Sequence, residues 1–372
     1  MTPEQREVMA CIEVCRTEVL GGHVDVCPDC GHETTPSYNS CRNRHCPKCQ
    51  ALDQARWIEA RKERILPVSY FHLVFTLPGG LKPLALRNRK LIYGLLFTAA
   101  SQTLLELGRD PKRLGALLGF TAVLHTWTRD LRFHPHLHCV VTGGGLAPDG
   151  NRWIHSGAKF LFPVKVISAL FRGKFIAALK RLHQRGLLDL GPDHRLCPDF
   201  PGLCHSLFKK PWVVYAKRPF AGPEQVFAYL GRYTHRVAIS NHRLLSVTDE
   251  AVTFSTRDGK TASLHPHEFI RRFLLHVLPK NFGKIRHYGL LASSNVKTNL
   301  PIARRLLQSR DPPDNNYGDA RNTSPDWQHL LEELTGIDVT VCPVCGSSRL
   351  RRVQLPDRRH PHNLPPPSRA PP

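Results

Sequence analysis

Acidic residues are scarce in this chain. Across 372 residues, 30 Asp and Glu face 52 Lys and Arg, which leaves a formal charge of +22. A surplus of that size points to a polyanionic partner, because phosphate carries condensed counterions that Lys and Arg release when they replace them. A membrane surface would instead call for a basic amphipathic helix or juxtamembrane cluster, and here the basic residues run along the whole chain. Nothing approaches the roughly 20 uninterrupted apolar residues of a membrane span. The start, MTPEQREVMACIEVCRTEVL, has no basic segment followed by an apolar one, so the expected location is the cytoplasm. A phosphate-binding loop for ATP is missing too: Gly259-Lys260-Thr261 lacks the glycine five residues earlier, where Phe254 stands. No internal repeat of roughly 20–50 residues marks a solenoid.

What is present in quantity is cysteine. Without an export signal, the 12 cysteines are expected to be thiols or metal ligands rather than disulfides. Two C-x2-C pairs, Cys27/Cys30 and Cys46/Cys49, are separated by 15 residues and carry the knuckle residues Pro28, Gly31 and Pro47. That spacing predicts a zinc ribbon, four thiolates around one tetrahedral Zn²⁺. Cys15, His23, Cys41 and His45 are left over and are candidates for a second zinc. Cys342-Pro-Val-Cys345-Gly is a further half-knuckle with no second pair near it, and His360 and His362 are weak candidates to complete it.

With 41% hydrophobic residues the chain has the material for buried cores, and its length suggests two or three domains. Residues 1–65 read as the zinc-binding domain with flanking helices, 66–245 as a catalytic domain, 246–300 as a small accessory segment completing it, and 301–372 as a C-terminal extension. Alternation predicts strands over 70–77, 119–127, 134–142 and 211–217, and helical periodicity predicts helices over 4–20, 51–65, 84–107, 164–184, 266–278 and from near Pro223. A small β-meander fits 243–262, with Asp258-Gly259 as its hairpin signal. The last 17 residues hold seven prolines and read as a disordered tail.

Two motifs carry chemistry. In His134-Pro135-His136-Leu137-His138, strand alternation puts His136 and His138 on one face, about 7 Å apart, where both imidazoles can converge on one divalent cation. In Tyr229-Leu230-Gly231-Arg232-Tyr233-Thr234-His235-Arg236, two tyrosines at i and i+4 share a helical face, flanked by Arg232, His235 and Arg236. An aromatic pair at this spacing also suits an ordinary buried stripe, but the cationic neighbours favour an anionic substrate and a phenolate. A tyrosine attacking a phosphodiester needs a Lewis acid on the non-bridging oxygens, so the two motifs together say more than either alone.

Leu20-Gly21-Gly22-His23, Tyr38 to Cys49, Phe71 to Pro78, Leu124-His125-Thr126-Trp127, the His134–His138 run with Gly143-Gly144-Gly145, and Tyr229 to Asn241 occur here in order. With Glu268 to Phe273 and Ile285 to Gly289, they make a sequence that resembles the HUH (His-hydrophobic-His) endonucleases. Within them it is similar to the two-tyrosine rolling-circle transposases of the bacterial insertion-sequence-ninety-one type. The resemblance implies an α+β fold, a central antiparallel sheet flanked by helices and preceded by a small zinc-ribbon domain. It implies that His136 and His138 hold Mg²⁺ or Mn²⁺, with His72, His125 or His235 as third ligand. It further implies that Tyr229 and Tyr233 cleave single-stranded DNA through a 5′-phosphotyrosine and that strand transfer needs no ATP. Arg42, Arg44 and Lys48, between the cysteines, are candidates for DNA contacts, as are Arg232 and Arg236. Element ends and target DNA are then the partners, with host replication or helicase factors unwinding the duplex and the protein at the nucleoid when bound. A replication initiator or relaxase is the rival within the same chemistry, and a non-catalytic zinc-containing DNA-binding protein is the rival outside it.

Overall fold

The computed structural model describes residues 1–62, 64–157, 160–220, 231, 237–308 and 327–358. Contacts divide the chain into two units, Arg64–Tyr233 with Leu278–Asn316, and Met1–Glu63 with Thr234–Val277 and Tyr317–Pro372.

The first of these is built on one antiparallel sheet, in the order β11-β4-β5-β3-β7 with β6 added on β5. Its strands are β3 (Tyr70–Thr76), β4 (Leu117–Trp127), β5 (Phe133–Leu146), β6 (Trp153–His155), β7 (Val214–Phe220) and β11 (Ile285–Gly289). Along β3 the apolar side chains Phe71, Leu73 and Phe75 alternate onto one face, and all three are fully buried. That face meets the long helices α4 (Arg89–Arg109) and α5 (Val164–Gln184), with Phe75 edge-on to Phe171 at 5.0 Å. Helix α4 is long and apolar enough to cross a membrane by length and composition, yet 61% of its apolar window is buried inside the unit. It packs on α5 and β4 as a core helix.

Strand β5 runs past the predicted end at 142, through the glycine triplet to Leu146. A Cβ on Gly143 would lie 2.7 Å from the Ser69 carbonyl oxygen, and one on Gly145 would lie 2.6 Å from that of Leu117. The triplet is therefore needed where neighbouring backbones crowd a central strand.

The other unit collects three stretches of chain. Its helix α1 (Pro3–Glu13) begins on a capping box between Thr2 and Gln5. It stops at Glu13, short of the predicted residue 20, and Arg16 in the left-handed region (φ 59°) turns the buried Cys15 away from the helix line. Strand β1 (Gly22–Val26) lies between β2 (Ser37–Tyr38) and β12 (Arg351–Leu355), and helix α2 (Ala51–Lys62) follows the cysteine-rich loop. The expected meander is β8 (Leu244–Val247), β9 (Val252–Ser255) and β10 (Thr261–Leu264), turned at Asp258 and Gly259, both of positive φ.

This division differs from the linear boundaries read from the sequence. Residues 246–277 fall in the unit that holds the cysteines, and the C-terminal extension is divided between the two units. The cause is long-range pairing: β12 adds to β1, and helix Trp327–Thr335 packs on α2. The tail from residue 359 and the helix expected from Pro223 lie outside the described residues.

Candidate functional site

Alternation along β5 sends His136, His138 and Val140 to the sheet face opposite Leu137 and Cys139, which are both fully buried. Register then decides which neighbours join them. His125 of β4 stands directly across from His136, while Val74 and His72 of β3 stand across from His138 and Val140. Four imidazoles from three adjacent strands thus share one face.

Three of them converge: one ring nitrogen from each of His125, His136 and His138 lies within 4.8 Å of the others. The Nε2 atoms of His136 and His138 are 3.1 Å apart. His136 Nδ1 lies 2.7 Å from the His134 carbonyl oxygen, which can only accept, so His136 donates from Nδ1 and keeps a lone pair on Nε2. His138 Nδ1 is 2.9 Å from His72 Nε2, with the two rings stacked at 5.2 Å and 12°. The tautomer in which His138 donates to His72 leaves a second lone pair facing that of His136. Burial pushes His136 down to about 4, and burial together with neighbouring His136 and His72 holds His138 well below the usual imidazole range. Both are therefore neutral at pH 7, the state a metal ligand needs. In that tautomer the two lone pairs, with a nitrogen of His125 beside them, fit a divalent metal; in the other, His138 Nε2–H donates to His136 Nε2 and a proton stands where the metal would be.

Of the third-ligand candidates, the described residues include His72 and His125. His125, stacked on Trp127 at 4.5 Å, is inside the cluster, and His72 stands behind His138. The sequence carries no sign of this, because it does not reveal that His125 and His136 fall opposite one another. The part played by the His134 backbone carbonyl is likewise set by the fold, which aims it at His136. Tyr229, Tyr233, Arg232, His235 and Arg236 lie outside the described residues. The end of their segment is described: Val237 to Ser240 are buried, and the Asn241 amide donates to the Pro47 carbonyl at 3.3 Å.

The cysteines form two groups of four. Cys15, Cys41, Cys46 and Cys49 are all buried with their sulfurs within 4.8 Å of one another. Cys15 and Cys46 are 3.6 Å apart, and Cys41 and Cys49 are 3.8 Å apart. Tetrahedral coordination at a Zn–S length of about 2.3 Å requires sulfurs about 3.8 Å apart, which these pairs approach. The Cys41 amide donates to Cys15 Sγ at 3.5 Å. The single ribbon expected from Cys27, Cys30, Cys46 and Cys49 is therefore corrected: Cys27 and Cys30 face Cys342 and Cys345. The reason is that β1 carries the first knuckle away from Cys15 and pairs with β12. Neither His23, 3.9 Å from Asp25, nor His45, bonded to Asn43 at 3.0 Å, belongs to either group. Arg42 and Lys48 between the cysteines are exposed, and Arg44 is half-buried.

Two four-thiol groups and a histidine cluster on an antiparallel sheet, in a chain this basic, fit a protein that binds zinc and acts on DNA, and comparisons with known proteins name its class. Residues 1–77 match the family described as transposase zinc-binding domain, of the IS91 type, and residues 119–299 match the family described as putative transposase. The chain is 45% identical over 366 residues to the putative transposase y4qJ of Sinorhizobium fredii, covering 96% of this chain and 91% of that one. It is 29% identical over 352 residues to the transposase for insertion sequence element IS801 of Pseudomonas savastanoi pv. phaseolicola, covering 90% and 80% of the two chains. No solved structure matches. The chain belongs to the IS91 family of transposases, with an N-terminal zinc-binding domain whose cysteines offer the ligands for structural zinc.

Proposed function

We propose that this transposase cleaves single-stranded DNA at its element's ends by tyrosine attack and transfers the strand to a target, as rolling-circle transposition requires. The observation that carries the reading is the convergence of His125, His136 and His138 on one sheet face. A divalent cation held there, Mg²⁺ or Mn²⁺, supplies positive charge to the non-bridging oxygens of a phosphodiester; imidazole donors suit Mn²⁺ better.

The chain's own residues do the rest. The phenolic oxygen of Tyr229 or Tyr233 attacks phosphorus, the bond to the 3′ oxygen breaks, and that oxygen takes up a proton as a free 3′-OH. The 5′-phosphate stays on tyrosine. A second tyrosine allows a second strand to be cleaved while the first link persists, and attack of a 3′-OH on the phosphotyrosine restores the phenol. The energy of the phosphodiester is conserved in the covalent link, so no nucleotide is consumed. The His134 carbonyl fixes the His136 tautomer, and His72, as acceptor across 2.9 Å, would hold the His138 proton on Nδ1. Arg42, Arg44 and Lys48, with Arg232 and Arg236, are assigned to phosphate contacts that hold the strand without reading its sequence. Unwinding falls to host replication or helicase factors in the cytoplasm.

The test is incubation with single-stranded oligonucleotides bearing the element's ends and Mn²⁺ or Mg²⁺, for wild type, Tyr229→Phe, Tyr233→Phe and the double variant. A covalent adduct is expected in wild type and none in the double variant. An adduct that survives in the double variant overturns the nucleophile assignment. Cleavage without joining would favour a replication initiator or relaxase, and no adduct on any end would favour a DNA-binding protein without catalysis.

A further inference from the structure

The half-knuckle near the C-terminus finds its partner 312 residues earlier in the chain. Cys30 Sγ lies 3.7 Å from Cys342 Sγ, and Cys27 Sγ lies 3.6 Å from Cys345 Sγ. These separations exceed the roughly 2.05 Å of a disulfide and approach the roughly 3.8 Å edge of a four-thiolate zinc tetrahedron. We propose that Cys27, Cys30, Cys342 and Cys345 form a second structural zinc site, closing one zinc ribbon from the two ends of the chain.

The two knuckles are built alike. In Cys27-Pro-Asp-Cys30-Gly31 the Gly31 amide donates to the Cys27 carbonyl at 2.9 Å and the Cys27 amide to the His32 carbonyl at 2.9 Å. In Cys342-Pro-Val-Cys345-Gly346 the Gly346 amide donates to the Cys342 carbonyl at 2.9 Å and the Cys342 amide to the Ser347 carbonyl at 2.8 Å. Gly31 and Gly346 share the left-handed conformation, φ 72° and 73°, that lets each loop fold back beneath its sulfurs. Register brings them together: β1 and β12 pair antiparallel from Gly22↔Leu355 to Val26↔Arg351, so one knuckle leaves the end of the ladder at which the other enters.

Surface interactions follow the same seam. Arg352 forks onto Asp25 at 2.8 and 3.0 Å, and Asp29 of the first knuckle accepts from Ser347 and Arg349 of the second. Apolar burial is too sparse to hold the C-terminal half in place, since Val344 and Val353 are 67% and 42% exposed and four of the five β12 residues are exposed. Small β-modules without a core are held by metal or disulfide. Here four thiols aimed at one point supply the metal's donor set, with Cys27 and Cys342 buried and Cys30 and Cys345 at the surface.

Zinc content of the full-length protein tests this, together with cobalt substitution, whose ligand-field bands report four-thiolate coordination. Counting only thiolate-bound metal by its cobalt charge-transfer bands, which the imidazole cluster of His125, His136 and His138 does not contribute to, wild type should hold two equivalents, and Cys342→Ser/Cys345→Ser should hold one with half the band intensity. Cys41→Ser/Cys49→Ser should also lose one, and the partly exposed site should yield its zinc first to chelator. One thiolate-bound equivalent in wild type, or two retained in Cys342→Ser/Cys345→Ser, overturns the proposal. Should the variants not fold, alkylation of wild type settles the same point. Cys27, Cys30, Cys342 and Cys345 should be protected together by zinc and lose protection together on chelation, whereas a Cys342 or Cys345 that reacts while Cys27 and Cys30 stay protected refutes the shared site.

Discussion

Replacing His72 by phenylalanine separates a residue that binds metal from one that orients a ligand. The aromatic ring is kept, so the stack on His138 at 5.2 Å is largely preserved, but the nitrogen that stands 2.9 Å from His138 Nδ1 is gone. His138 is then free to rotate or to place its proton on Nε2, the nitrogen 3.1 Å from His136 Nε2. Loss of such an outer partner typically weakens metal affinity about 10- to 100-fold, or about 1.4–2.7 kcal/mol. Folding should suffer by about 1–3 kcal/mol at most, the penalty for a buried imidazole N–H left unsatisfied. The measurement is covalent adduct formed on a single-stranded end as a function of Mn²⁺ concentration. The half-saturating Mn²⁺ should rise by the stated factor while the plateau rate at saturating Mn²⁺ recovers to near wild type. An unchanged half-saturation with an abolished plateau would refute the reasoning, because His72 would then act at the reacting atoms and not through His138.

Three further outcomes are expected. The folded His136 pKa of about 4 lies below its ordinary 6.5, so between these values the unfolded chain binds a proton the folded one refuses. Stability should therefore fall as pH drops from 6.5 toward 4, with His136 contributing up to about 1.4 kcal/mol per pH unit; urea midpoints of His136→Gln should show a shallower slope in that window. Gly145→Ala would bring a Cβ to 2.6 Å from the Leu117 carbonyl and should lower thermal stability markedly, whereas Gly150→Ala, with open space around it, should show only the mild strain of its positive φ. Arg42→Ala with Lys48→Ala should weaken single-stranded DNA binding and reduce the slope of log affinity against log salt by about 0.7 for each phosphate no longer neutralised; an unchanged slope means both are merely solvated.

Much of the sheet was legible because period-two alternation is a local property. In Tyr70–Thr76 and Phe133–Leu146 each apolar side chain that faces the helices is set by its neighbours two residues away. The His136/His138 pair was legible for the same reason. The place of His125 ahead of His72 was not, because cross-strand register depends on how β4, β5 and β3 pair. The end of helix α1 was hidden too, since helical propensity continues past Glu13 while Cys15 is drawn into a cluster with residues far downstream.

The cysteines mark the boundary most clearly. By itself the sequence determined that the chain is strongly basic and carries zinc knuckles and a His-x-His run, and its ordered motifs carried the resemblance to a transposase family: charge, knuckle spacing and short motifs are composition and short-range order, which the chain carries whatever its path. The tertiary structure alone decided which cysteines stand together. The spacing of Cys27, Cys30, Cys46 and Cys49 pointed to one ribbon, whereas the β1–β12 ladder hands Cys27 and Cys30 to Cys342 and Cys345 and leaves Cys46 and Cys49 to Cys15 and Cys41. A knuckle presents only two ligands; which other two complete the set depends on strand pairing between segments some three hundred residues apart, and no local pattern encodes that distance.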